Sequence, residues 1–183
     1  MIEPKPGILL IAEPFLKDPN FMRTVVFLCE HQEEGSFGFV LNKNYDFTLD
    51  QLVPEIEDVK LPVYYGGPVQ TDTLHFLHQL PHLIPGGFEV SNGIYWGGDY
   101  ELVVSLLKKG ELNTSKIRFF IGYSGWSNGQ LDDEMKEKSW LTVPAKPKLV
   151  FHHNLSEIWK ESLKELGGDY EQLVNYPTDP QLN

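Results

Sequence analysis

Short apolar runs rich in β-formers, each cut off by glycine, proline or a polar cluster, limit what this chain can fold into. Gly7-Ile8-Leu9-Leu10-Ile11-Ala12, Thr24-Val25-Val26-Phe27-Leu28-Cys29 and Gly38-Phe39-Val40-Leu41-Asn42 read as strands. So do Pro62-Val63-Tyr64-Tyr65, Leu74–Gln79, Ile117-Arg118-Phe119-Phe120-Ile121 and a last run, Leu149-Val150-Phe151. The runs 24–29 and 37–42, joined through Gln32-Glu33-Glu34-Gly35, predict a hairpin with a long polar tip. Doublets such as Gly66-Gly67 and Gly97-Gly98 mark turns, and no solenoid period recurs.

Helices fall between these runs at irregular intervals. Thr48 with Gln51 forms a capping box, and Pro54 keeps the helix behind it brief. Asp99 caps a helix running to Lys109 that turns Leu102, Val103, Leu106 and Leu107 inward. Gln130–Ser139 carries Asp132, Asp133 and Glu134 in its first turn, where carboxylates suit the helix dipole. The clearest helix is 155–166: Leu155, Ile158, Trp159, Leu163 and Leu166 make one apolar stripe between an Asn154 cap and Gly167. Irregular interleaving with sequentially adjacent strand pairs predicts an α+β fold with a mixed sheet, not a doubly wound parallel one.

The 183 residues suit one domain spanning 1–183, with 41% apolar and 22% charged residues. The start lacks the plan of a signal peptide, and no run of about 18 apolar residues could cross a bilayer. The lone Cys29 has no disulfide partner, so a reducing cytoplasm is the simplest setting. Residues 175–183, with two prolines and no apolar period, read as an end that is either strapped down or loose.

Charge narrows the functional classes. The net charge is −11, and residues 1–107 alone carry 5 basic against 15 acidic side chains. Nucleic-acid binders draw most of their affinity from cations on phosphates, so direct DNA binding is disfavoured. The basic residues of 108–164 are interleaved with acids (Lys136-Glu137-Lys138), as on a solvated helix face.

Catalytic and metal motifs fail on spacing. Gly122-Tyr123-Ser124-Gly125 resembles a nucleophile elbow, but Trp126 stands where the second glycine is required, so a structural loop is expected. The same glycines before a helix lack the P-loop lysine, and three carboxylates would compete with a phosphate. Asp132, Asp133 and Glu134 are consecutive and diverge on a helix. His75 and His78, three apart on a strand, point to opposite faces, and Pro81 separates His82; His152 and His153 should diverge as well. No metal site and no cofactor are expected. Cys29 alternates with Val25 and Phe27 toward the core as a structural thiol, whereas His31 opens a loop beside an acid that could orient its ring. Tyr64, Tyr65, Tyr95, Trp96, Tyr123 and Trp126 all lie beside glycines, where large rings either line a cleft or pack over the glycine.

Five blocks in order, together spanning about residues 7–166, resemble the YqgE/AlgH family. They are Gly7–Ala12 followed by Asp18-Pro19-Asn20-Phe21 before Thr24; Glu30-His31 with Gly35–Asn42; Gly66-Gly67-Pro68-Val69; Gly122-Tyr123-Ser124-Gly125-Trp126; and Gly129-Gln130-Leu131 with Glu134, followed by Trp140. The resemblance implies a bacterial protein with a bent, barrel-like mixed sheet flanked by helices. Its AlgH branch is named for a role in regulating alginate synthesis and is sometimes called a transcriptional regulator. It implies no reaction and carries over no catalytic or ligand residues. Ser124 stands where the family usually has alanine, and Tyr95–Gly98 and the tail 176–183 fall outside the shared pattern.

The residues left unabsorbed predict a non-enzymatic binding or regulatory domain acting through a small ligand or a protein partner. Its site is expected where His31, Asn42, Gly66, Gly67, Trp126, Gln130 and Glu134 meet in one cleft. The alternative is a hydrolase using His31 as general base, with Glu30 or Glu134 orienting it. A third reading is a DNA-binding regulator, which the charge opposes. Oligomeric state is not written in the sequence.

Overall fold

The computed structural model describes residues 1–177. Of the expected tail 175–183, residues 178–183 lie outside this range; the carbonyl of Tyr176, at its start, accepts from the Arg23 guanidinium.

The strands are β1 (Ile8–Ala12), β2 (Val25–Gln32), β3 (Gly35–Val40), β4 (Asn44–Thr48), β5 (Pro62–Tyr65), β6 (Val69–His78), β7 (Phe88–Ser91), β8 (Ile94–Trp96), β9 (Ile117–Ser127) and β10 (Trp140–Pro144). All ten belong to one sheet, ordered β10-β1-β2-β3-β9-β6-β8-β7, with β4 and β5 packed on at β9. Pairing is antiparallel except for β5, which runs parallel to β9, so the sheet is mixed as expected. Curled into a half-barrel and flanked by helices, it gives the α+β fold that the sequence predicts.

The helices are α1 (Leu49–Leu52), α2 (Tyr100–Lys108), α3 (Gln130–Lys136), α4 (Pro147–Val150), α5 (Leu155–Lys164) and α6 (Tyr170–Leu173). Thr48 and Gln51 close the capping box of α1, while Asp99 and Asn154 accept backbone N–H bonds at the starts of α2 and α5. On α2 the buried set is Val103, Val104 and Leu107, and Leu102 and Leu106 are only half-buried.

Strand alternation divides the interior into layers. Leu9, Ile11, Val25, Phe27, Phe39 and Leu41 face the hollow of the half-barrel, where Ile158, Trp159 and Leu163 of α5 pack on them. Ile8, Leu10, Ala12, Val26, Leu28 and Val40 point the other way, onto Trp126, Leu131 and Trp140. Central strands covered on both faces read as unbroken apolar runs, which is why they are so legible. A third layer sets Val63, Phe76, Phe119 and Ile121 against Leu49, Val103 and Leu107 of α1 and α2.

Several local expectations are corrected. The 24–42 hairpin has a tight tip, not a long one: Gln32 pairs with Gly35, so Glu33-Glu34 alone make the turn, and a bulge between Leu28 and Glu30 absorbs one residue. Gly122–Ser127 continues β9 as strand instead of forming a loop. Leu149 and Val150 belong to a helix, because Pro147 starts α4 at its first turn, where the missing N–H costs nothing. Strands β4, β7, β8 and β10 were not legible as strands.

Candidate functional site

The half-barrel has an unfilled mouth. A cleft of about 610 Å³ opens beside β3, β6, β8 and β9, walled by Phe37, Val69, His75, Trp96, Tyr123 and Gly125. Its position follows from register. Glu30 pairs with Phe37, and Phe37 with Gly125, so these share one face, which also carries Phe39 and, by alternation, Tyr123. His75 and Leu77 alternate onto the same side from β6, and Leu77 pairs with Trp96. The rings thus extend the inward layer that α5 fills over β1 and β2, and no α5 side chain lines the cleft. Phe37, His75, Trp96 and Tyr123 are all half-exposed.

The polar rim is acidic. Glu30, Gln32 and Glu34 line the cleft, and no Lys or Arg does. His75 is held neutral, since burial pushes its pKa below the usual value. The Thr73 hydroxyl donates to the Gln70 carbonyl at 2.7 Å. Toward His75 it therefore accepts from Nε2–H, at 3.1 Å, which leaves Nδ1 as the unprotonated nitrogen. A second cavity of about 290 Å³ adjoins and shares Glu30, Gln32, Phe37 and Trp96, adding His31, Phe88, Pro6 and Cys29.

The seven residues expected at one site distribute differently. Trp126 is the one among those walling the larger cleft. Its indole is buried in the outer layer, stacked on Phe21 at 6.1 Å and edge-on to Trp140. His31 pairs across the hairpin with Ser36, and Ser36 with Trp126, so all three project on the outer face, toward α3. Gln130 accepts from the Ser127 N–H at 3.0 Å and fastens the start of α3. Glu134 lies beside Trp126 and Trp140. Burial pushes its pKa up, the two indoles oppose the rise, and Asp18 and Glu137 add to it. Its Oε2 is buried without a hydrogen-bond partner among the described residues. His31, Trp126, Gln130 and Glu134 thus gather around α3, and the other three do not. Asn42 ties β3 to the start of β2, accepting from Val25 N–H at 3.0 Å and donating to the Arg23 carbonyl at 2.9 Å. Gly66 and Gly67 cross β9 at van der Waals closeness to Gly122, Tyr123 and Ser124.

His31 does find a carboxylate, but not the expected one. Its Nδ1 is 2.6 Å from the Ser36 hydroxyl, and its Nε2 is 3.7 Å from Asp132 Oδ1. Glu30 projects from the opposite face of β2, and Glu134 is packed against the indoles. A gap of 3.7 Å is beyond the roughly 3 Å reach of a catalytic hydrogen bond. Ser124 is fully buried and donates to the Gly66 carbonyl at 3.1 Å, so it presents no nucleophile. Cys29 is buried, and burial raises its pKa, with Glu30 adding to the rise. His75 and His78 do face opposite ways, His78 stacking on Tyr95. His152 and His153 depart from expectation: their rings stack at 4.8 Å.

Three of the glycine-flanked aromatics, Trp96, Tyr123 and Trp126, line the cleft. Phe37 and His75 were missed. The signal available for Phe37 was its alternation with Phe39 between Ser36 and Gly38.

Comparison with known proteins agrees with this fold and its blocks. The model of the AlgH-like family matches residues 9–171. The chain belongs to the AlgH-like family. A UPF0301 protein of Chlorobaculum tepidum is 44% identical over 179 residues, covering 98% of this chain and 96% of the relative. One from Cytophaga hutchinsonii is 40% identical over 178 residues, covering 97% and 98%. The solution structure of the AlgH protein from Pseudomonas aeruginosa superposes with a TM-score of 0.74 at 29% identity, covering 97% and 98% of the two chains. A crystal structure from Corynebacterium diphtheriae shares the fold, with a TM-score of 0.75 at 21% identity over 96% and 94%. Among the described residues of this AlgH-like chain, no helix is long and apolar enough to cross a membrane.

Proposed function

We propose that this AlgH-like chain is a small-molecule-binding domain and that the aromatic mouth of its half-barrel is the binding site. The observation that carries the reading is the four half-exposed rings, Phe37, His75, Trp96 and Tyr123, around a cleft of about 610 Å³. Small-molecule sites are concave, mostly apolar, about 300–1,000 Å³ in volume, and frequent at barrel mouths. Half-exposed rings in a concavity cost hydration that a ligand would recover. The reading is non-enzymatic: Ser124 and Cys29 are buried, and behind the Ser36–His31 pair the carboxylate of Asp132 stands 3.7 Å from the ring, outside hydrogen-bond distance. The regulatory role suggested by the AlgH resemblance would then run through the bound ligand in a cytoplasmic setting, not through DNA, which a net charge of −11 repels.

The test is a thermal-shift panel of metabolite classes on the wild type and on Trp96→Leu. A ligand at 100 times its Kd adds about 2.7 kcal/mol, which is roughly 5–11 °C at this chain length. The shift should appear with one chemical class and vanish in Trp96→Leu. A panel that protects neither protein, or protects both equally, would refute the assignment and favour a protein partner.

A further inference from the structure

We infer that the cleft selects a small organic cation, one with a quaternary or N-methylated ammonium group. The inference rests on reading the cleft as the binding site and adds the charge of what enters it.

The rings form a closed circuit. Phe37 lies 4.8 Å from Trp96 and 5.9 Å from Tyr123, centroid to centroid. His75 completes it, 6.2 Å from Trp96 and 6.1 Å from Tyr123. Successive planes are inclined by 62°, 36°, 90° and 72°, so the rings meet edge to face or tilted and not as a stack. Each wall with its face turned inward offers the negative lobe of its quadrupole, the surface that attracts a cation within about 6 Å. A methylated ammonium suits such walls because its methyl groups make apolar contact while the charge is felt through them.

Aromatic walls alone also take neutral ligands; the rim decides between the two. Glu30 and Glu34 border the cleft, and Lys and Arg are missing from the linings of both it and the adjoining cavity. An anion entering there meets two carboxylates with no Lys or Arg to offset them. A neutral ligand gains no charge–charge attraction from them. His31 lines the adjoining cavity but projects to the outer face, 3.7 Å from the Asp132 carboxylate. His75 stands in the circuit itself and is held neutral by its burial, so it does not repel a cation.

The experiment uses the full chain and two probes of one shape: choline and its uncharged isostere, 3,3-dimethylbutan-1-ol. Binding is read by ¹⁵N NMR at the Trp96 indole, assigned by its loss in Trp96→Phe. Choline should bind about tenfold more tightly than the alcohol. The preference should shrink as salt screens the rim. Glu30→Gln combined with Glu34→Gln should weaken choline several-fold and leave the alcohol unchanged. Glu34 is exposed at the hairpin tip and Glu30 is half-buried on its inner face, and an unchanged unfolding midpoint verifies the fold. Equal affinities for the two probes would overturn the cation inference while the cleft remained a binding site. If neither probe nor any neutral aromatic fragment moves the Trp96 resonance, the inference and the binding-site reading both fall.

Discussion

Gly67→Ala should cripple the fold, while Gly125→Ala, on the same crossing of strands, should not. A Cβ at Gly67 would sit 2.2 Å from the carbonyl carbon of Tyr123, 2.3 Å from its oxygen and 2.4 Å from the nitrogen of Ser124. All three are main-chain atoms of β9, which is hydrogen-bonded to β3, β5 and β6, so no side chain can swing aside. Gly67 also has φ of +152°, a conformation L-residues rarely adopt. Backbone strain of this kind costs about 1–3 kcal/mol. Forcing apart a packed contact costs about 1–3 kcal/mol more. The expected loss is therefore about 2–6 kcal/mol, or about 4–24 °C in Tm at roughly 2–4 °C per kcal/mol. At Gly125 the added carbon would meet Tyr123 Cε2 at 3.5 Å and Val69 Cγ2 at 3.7 Å, ordinary contact distances. Replacing a strand glycine with alanine there should be neutral or stabilising by about 0.5–1 kcal/mol. Urea unfolding followed by far-UV circular dichroism measures both, with the slope checking two-state behaviour. If Gly67→Ala lies within about 1 kcal/mol of the parent, or Gly125→Ala is equally damaging, the close-approach argument is wrong.

Three further substitutions probe the layers on either side of the sheet. Leu163→Ala removes a fully buried side chain from α5 and should cost about 2.7–5 kcal/mol in the same assay, against clearly less for the half-buried Leu166→Ala; equal costs would mean that α5 does not fill the half-barrel. Glu134→Gln tests the buried carboxylate between the two indoles. Burial raises the folded pKa above the usual carboxylate value, so the ionised form is disfavoured in the native state. That penalty is absent below the usual carboxylate pKa, grows as pH rises toward the folded pKa, and is full above it. The variant should therefore be more stable than the parent at pH 7, with the advantage fading toward pH 4.5; a Tm difference that ignores pH would refute it.

What the sequence made legible, and what it hid, follows from where side chains point. β1 and β2 are covered on both faces, so their apolar runs could be read directly. β4, with Asn44, Asp46 and Phe47 exposed, and β7, with Phe88 and Glu89 exposed, carry no such run. They exist because neighbouring strands offer them hydrogen bonds, which is information from elsewhere in the chain. Leu149-Val150-Phe151 erred the opposite way: three apolar residues suit a strand or a helix, and Pro147 two residues earlier is the better guide. The candidate site was harder for the same reason. Trp96 and Tyr123 stood out as rings beside glycines, but Phe37 and His75 became wall residues only through register. The bulge between Leu28 and Glu30 sets which hairpin residues share the face of Phe37. The shift between Val69 and Leu74 does the same for His75 on β6. A one-residue slip at either would send that ring to the opposite face and open the circuit. The blocks that mark this family are the tight crossings and the hairpin, so they fix the register. Of the four rings, Phe37 and Tyr123 lie inside those blocks, and His75 and Trp96 are brought to them by the pairing of β6 with β9 and β8.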